Sequence, residues 1–380
     1  VESYGRTDLS EFLGDNVVYR NLVPMDERIL PLDAVRPKIG LDPGRVPRKS
    51  EPDYARAIVH FLRRARDLDA PGAQVERLLF VGDTRLNDAT AFGNLCQAGD
   101  WQGLAFIASE SQEPPDMETT AQEGQVVCLA NRWSMLPDFD RRRAKRGFPL
   151  DEATAAVIDL DKTGLGARGR NDQVIDRVRV GAVRRTVESL LGNSFDPGAF
   201  QEAYDHLNRP AYHFFTTDNQ DYLAYICLIL GSDQYDLRRL LEEIDTGEAA
   251  SFGQFIGQVE AQKSALEPDL LAIHEEIYAN VQAGDPTPFK AFRRNEYVAT
   301  VERMGQMGDD APVDELLEGE IVITQEVREM AAAWRAQGVL LFGLSDKPDE
   351  ASIPLPEQAA QGYQPIHRTQ THAVGDAEAR

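Results

Sequence analysis

Two carboxylates two residues apart, Asp159 and Asp161, close the apolar run of AAVIDLDKTGLG (155–166), and Thr163 and Gly164 follow at once. A carboxylate at a strand end is a poor nucleophile until a cation organises it with its phosphorus target. A second carboxylate two residues on can reach the same site as general acid and base. The hydroxyl of Thr163 and the freedom of Gly164 permit a tight turn over a reacting group, which makes both candidate substrate-binding residues. The competing interpretation is the solvated edge of an ordinary strand.

Two further stretches end the same way. In RLLFVGDTRLND (77–88) an apolar run stops at Asp83, and Asp88 returns from the turn beyond it. Two hard oxygen ligands, with a third from Asp159, suit Mg²⁺, which takes one or two carboxylates along with substrate oxygens and waters. The bland alternative is an Asp-rich turn capping a helix. In WRAQGVLLFGLSDKPDEA the run ends at Ser345, followed by Lys347 and Pro348. A hydroxyl there can hold a phosphoryl oxygen by hydrogen bond or cap the next helix.

The elements that must position these residues follow from the pattern. Each of the three runs is short, apolar and β-rich, and helical periodicity follows it. QGLAFIASES (102–111), QVVCLANRW (125–133) and, more weakly, DNVVYRNL (15–22) are further strand candidates. Continuous apolar runs predict strands covered on both faces, hence an α/β fold with a parallel, Rossmann-like sheet. In such sheets the strands' C-terminal ends line the ligand crevice.

Residues 170–335 differ. Val174, Ile175, Val178, Val183 and Val187 recur at helical spacing, as do Leu237, Leu240, Leu241 and Ile244, and then Leu270, Leu271, Ile273, Ile277 and Val281. GNSFDPG and AGDPTP punctuate them as turns, and YHFFTT (212–217) is the one strand-like exception. The division expected is 1–165 as the first part of the core, 166–330 as a mostly helical block, and 331–380 as the second part of the core with a tail rich in Gln, Pro and Ala after Pro354.

Composition narrows the function classes. With 40 Lys and Arg against 63 Asp and Glu the formal net charge is −23, which disfavours a nucleic-acid surface. RRRAKRG (141–147) is the one dense basic run, expected as a solvated helix face or linker. No run reaches the ~18 apolar residues of a membrane span, and no charged-then-apolar leader opens the sequence, so a soluble, cytoplasmic protein is expected. Cys96, Cys128 and Cys227 are too sparse for a disulfide framework and form no CxxC pair. An anionic substrate must therefore be neutralised locally, by a metal or a placed lysine.

Together the three stretches resemble the haloacid dehalogenase superfamily of aspartate-nucleophile phosphotransferases. DLDKT matches that family's first motif, DxDx[TV]. LLFGLSDKP matches its second, an apolar strand ending in Ser or Thr, and GDTRLND matches its metal motif, GDxxxD. The third motif is a lysine ahead of the helix leading to the metal strand. RKSEPDYARAIVHFLRRA supplies Lys49 there, although Ser50 stands where Pro is common and Lys38 in RPKIG competes. The motif order departs from the family's: third, metal, first, helical block, second. That is a circular permutation with new termini between the second and third motifs. Cutting an exposed loop is physically cheap because it leaves the packed sheet alone. A rival arrangement takes FFTTDN as the second motif, with Thr216 or Thr217 in the role of Ser345.

The resemblance implies a Mg²⁺-dependent phosphatase acting on a small phosphorylated metabolite through an aspartyl-phosphate. Asp159 is then the nucleophile and Asp161 the acid and base. Asp159, Asp83, Asp88 and the backbone carbonyl of Asp161 are then the metal ligands, and Ser345 and Lys49 hold the phosphoryl oxygens. The helical block falls where the family inserts a cap, with GLGARGRNDQ (164–173) as a flexible lead-in from which Arg168, Arg170 and Asn171 could reach a substrate. Two alternatives stand beside it: a non-catalytic phosphate or Mg²⁺ sensor using the helical block to bind a partner, and a phosphotransferase or mutase with the same residues. His206, His213, His274, His367 and His372 lack metal-ligand spacing, and Trp133 is expected to pack.

Overall fold

Phe80, Val157 and Phe342 lie side by side in one row at the centre of a seven-stranded sheet. In the computed structural model, which describes residues 1–122, 125–217, 219–232 and 235–376, the strands are β1 (Glu2–Thr7), β2 (Val17–Val18), β3 (Arg77–Gly82), β4 (Gln102–Ala108), β5 (Met117–Gln122), β6 (Gln125–Ala130), β7 (Thr154–Asp159), β8 (Ile323–Thr324), β9 (Leu340–Leu344) and β10 (Thr371–Gly375). The large sheet runs β2-β9-β7-β3-β4-β6-β5 and is parallel except for the edge strand β5. The buried runs of β3, β7 and β9 explain the parallel pairing, because neither face of these strands meets water.

Register places the chemistry. Val81 pairs with Ile158 and Asp159 with Leu344, so β3, β7 and β9 end at one edge of the sheet. Asp83, Asp159 and Ser345 emerge there together, whatever their order along the chain. The helix Pro52–Asp69 covers one face through Tyr54, Ala55, Ile58, Phe61, Leu62 and Ala65, a helical stripe in the core shared with Phe80, Val157 and Phe342.

The chain divides into two compact units, Val1–Arg177 with Thr300–Arg380, and Val178–Ala299. The helical unit is shorter at both ends than the 166–330 expected. Residues 164–171 are tied to the strand ends, and Ile323–Thr324 pairs with β10. The helical unit is built around Gln220–Gly231, apolar on almost every face and buried from Leu223 to Ile229. Arg293 there bonds both Asp221 and Glu296, all three nearly solvent-free.

One further expectation is corrected. YHFFTT is not a strand: Pro210–Tyr212 and His213–Thr216 are successive helical turns, with Phe215 buried. Local aromatic β-propensity yields to tertiary context here, and the rival arrangement through Thr216 or Thr217 loses its strand end. Beyond Pro354, β10 pairs antiparallel with β1 and parallel with β8 in a second, three-stranded sheet. No helix among the described residues is long and apolar enough to cross a membrane.

Candidate active site

The DLDKTG segment wraps its own strand end. Gly164 N–H donates to the Asp159 carbonyl (3.1 Å) and Leu165 N–H to that of Leu160 (2.8 Å), with Lys162 left-handed at φ +63. The loop is then fastened to the β8 segment, where Thr324 N–H donates to Gly164 O and Gly166 N–H to Val322 O. The N–H of Gly164 is thus consumed in the turn. Thr163 is fully buried, its carbonyl accepting from the Thr324 hydroxyl, and its own hydroxyl has no hydrogen-bond partner.

Asp83, Asp88 and Asp159 are all buried, and one carboxylate oxygen from each lies within 4.8 Å of the others. Asp88 is folded back beneath β3: its Oδ2 accepts from Asp83 N–H (3.0 Å), Thr84 N–H (2.8 Å) and the Thr84 hydroxyl (2.8 Å). Gly82 makes that possible, because a Cβ there would come within 2.8 Å of the Asp88 side chain.

Two cations face these acids. Lys49, only 4% exposed, donates from Nζ to Asp88 Oδ1 (2.6 Å) and to Asp159 Oδ1. Arg20 steadies the loop ahead of it by bonding the carbonyls of Pro47 and Val46. Lys38 is exposed on its own helix, so Lys49 is the lysine delivered to the acids. The second cation is Arg168, whose Nε donates to Asp83 Oδ2.

Three buried carboxylates against two cations leave an excess of one negative charge, and the titration behaviour follows. Burial and neighbouring Asp88 push the Asp83 carboxyl up to about 7. Burial pushes Asp159 the same way, well above the usual range, against the pull of Lys49. For Asp88 burial is outweighed by Lys49 and the Thr84 N–H, which hold it below the ordinary value. For Lys49 too the cost of burial is outweighed, by Asp159 and Asp88, and its ammonium keeps its proton. Three hard oxygen donors in a site short of positive charge fit a divalent cation such as Mg²⁺.

Ser345 is buried one residue beyond β9, its Oγ accepting from Lys347 N–H (3.0 Å). With half-buried Asp161 it lines a narrow cavity of ≈ 20 Å³, room for about one water. Tyr54, on the helix that begins just after Lys49, is 1% exposed with a hydroxyl that has no partner. Burial raises that phenol, as does Asp346 at the end of β9.

The other candidates take structural roles. Arg170 pairs with Glu110 and Glu326, and the Asn171 side chain bonds Leu317 O, Glu320 O and Val322 N. Trp133 packs fully buried and donates from Nε1 to the Arg168 carbonyl. The basic run lies on the helix Leu136–Lys145, where Arg141 pairs with Asp138 and Arg143 with Asp140. His274 bonds Tyr225 and Glu260, His367 bonds Tyr19 and Asp15, and His372 bonds Glu320. The three cysteines are buried and free.

Thr84, Arg20 and Tyr54 are the site residues that pattern reasoning missed; Asp83 and Arg168 were both candidates, and only their pairing went unread. Thr84 had a signal, a hydroxyl four residues before an acid at a helix start, whereas Arg20 had none. Comparison with protein-family models, with curated proteins and with solved structures finds no match.

Proposed function

We propose that the chain is a Mg²⁺-dependent phosphatase of the haloacid dehalogenase type, with its motifs in circularly permuted order, acting on a small phosphorylated metabolite. The observation that carries this reading is the meeting of Asp159, Asp83, Asp88 and Lys49 at one edge of a parallel sheet, beside Ser345. The sequence resemblance assigned those same residues to one site, although they are spread from position 49 to position 345. The strand carrying Asp159 lies between those ending at Asp83 and Ser345, so the site needs no particular chain order.

In this reading an Asp159 carboxylate oxygen attacks phosphorus. The bond to the ester oxygen breaks, and Asp161 gives its proton to that oxygen. A water then attacks the aspartyl-phosphate, passing its proton to Asp161, and the bond from phosphorus to Asp159 breaks to release phosphate. Lys49 and Ser345 steady the phosphoryl oxygens. Asp83, Asp88 and Asp159 would hold Mg²⁺, which supplies charge neutralisation between an anionic nucleophile and an anionic ester.

Hydrolysis of an aryl phosphate tests the reading. Turnover should require Mg²⁺, vanish with chelator, and fall by at least ~10³-fold in Asp159→Asn. A protein that binds Mg²⁺ and inorganic phosphate yet hydrolyses no ester would favour the sensor alternative.

A further inference from the structure

We propose that Arg168 is the residue that selects the leaving half of the substrate: the terminal N–H fork of its guanidinium takes a second anionic group, a carboxylate or a second phosphate, on the alcohol portion of the phosphomonoester. The inference rests on the phosphatase reading and extends it to a substrate class.

The backbone that presents Arg168 is fixed. Its N–H donates to Lys162 O (2.8 Å), and its carbonyl accepts from Glu110 N–H (2.9 Å) and Trp133 Nε1–H (3.1 Å). Gly169 follows at φ +79, where a Cβ would lie 2.0 Å from the Glu110 carbonyl oxygen. Arg170 then ties the strap to Glu110 and Glu326. The segment expected as a flexible lead-in is an anchored strap, and the guanidinium is placed from a rigid base.

The guanidinium is used by half. Nε goes to Asp83, which is 5% exposed, while the Arg168 side chain is 32% exposed. Among the described residues neither Nη1 nor Nη2 has a hydrogen-bond partner in the protein. A guanidinium held at Nε keeps its plane, so the Nη pair remains a rigid two-pronged donor, the geometry that matches carboxylate and phosphate oxygens bidentately. The acids nearby on the strap do not spoil it: Asp176 is paired with Lys162 at 2.8 Å, and Asp172, 3.9 Å from the same ammonium, already accepts from Gly169 N–H.

The position picks the leaving half. Lys49 serves Asp159 and Asp88, whereas Arg168 approaches from the Asp83 side on the strap that starts at Asp161. Asp161 is the group that protonates the leaving oxygen. A neutral alcohol would leave the fork to water, and an anionic one would complete it.

The test is calorimetric, in an Asp159→Asn background so that ligand is not consumed, with Mg²⁺ present. Three probes are titrated: ethyl phosphate, 2-phosphoglycolate and ethylene glycol bisphosphate. The expected result is that at least one second-anion probe binds about tenfold or more tighter than ethyl phosphate. Arg168→Gln should collapse that ratio to below about threefold, with Arg168→Lys intermediate. Whichever of the two probes wins identifies carboxylate or phosphate as the second group. Unchanged melting of the metal-free variants guards against misfolding. Equal binding of all three probes, or a preference that survives Arg168→Gln, overturns the inference while leaving the phosphatase reading intact. If no probe binds and the native protein hydrolyses no ester, both fall together.

Discussion

Lys49 Nζ lies 2.6 Å from Asp88 Oδ1, with both side chains at 5% exposure or less and the two residues 39 apart in sequence. The same ammonium bonds Asp159. One cation thus holds together a strand end and a turn that would otherwise repel. Buried ion pairs are costly to form, and breaking one by removing a single partner leaves an uncompensated charge. Lys49→Met should therefore destabilise the metal-free protein by about 3–5 kcal/mol, read from urea unfolding in chelator. A loss no larger than that of an exposed lysine would show that the carboxylates take up protons without cost.

Asp159 sits on the other side of that balance. Its carboxyl is raised by burial and by Asp88 and Asp83 even though Lys49 touches it, so its charge is unwelcome where it sits. Asp159→Asn should leave the metal-free protein as stable as the native chain, or more stable by on the order of 1 kcal/mol. On the proposed function, Mg²⁺ should raise the melting temperature, a stabilisation of about 2.7 kcal/mol for a site filled at a hundredfold its Kd, and Asp159→Asn should shrink that rise. A marked loss of metal-free stability would mean that the Lys49–Asp159 pair is structural rather than a strained arrangement kept for chemistry.

Gly169 is the narrowest point of the strap that carries Arg168. Both its positive φ and the 2.0 Å approach to Glu110 O forbid a side chain. Gly169→Ala should destabilise by more than ~1 kcal/mol and misplace the guanidinium. Trp133→Phe removes the indole N–H bond to the Arg168 carbonyl and also empties part of a fully buried ring's volume, so it should cost more than the hydrogen bond alone, which is worth about 1 kcal/mol. Thermal melting reads both losses. Unchanged melting of Gly169→Ala would contradict the close approach to Glu110.

What was legible in the sequence was what local pattern encodes. The apolar runs that stop at Asp83, Asp159 and Ser345 are buried parallel strands, because a strand covered on both faces must be apolar throughout. The boundary of the helical unit was not legible, because Ile323–Thr324 is only a two-residue strand and takes its place from β10, some fifty residues away. YHFFTT misled for the complementary reason: its aromatics pack in a helical unit, where Phe215 meets Phe255. Within the site, Lys49 was legible only through the family resemblance, which expects a lysine ahead of the helix leading to the metal strand, and Lys38 competed for that place. The Arg168–Asp83 pair spans 85 residues and leaves no local trace.

His367 offers a pH signature of its own. It is fully buried, bonded through Nδ1 to Tyr19 Oη (3.1 Å) and through Nε2 to Asp15 (3.3 Å). Burial lowers its pKa below the ordinary 6.5, with Asp15 pulling the other way. The unfolded chain therefore takes up the proton more readily than the folded one. The stability this histidine contributes is complete above pH 6.5 and is lost as pH falls below that value towards the folded pKa. Asp15, held low by Arg368 and His367 against the effect of burial, begins to lose its contribution only below its ordinary 3.8, beneath the pH at which the histidine's loss begins. Urea midpoints measured in chelator near pH 8 and pH 5.5 should fall further for the native chain than for His367→Asn. At pH 8 the variant should be weaker by about 1 kcal/mol through the lost tyrosine bond. An identical pH slope in both proteins would show that His367 takes up its proton as readily in the fold as in the unfolded chain, with Asp15 offsetting burial.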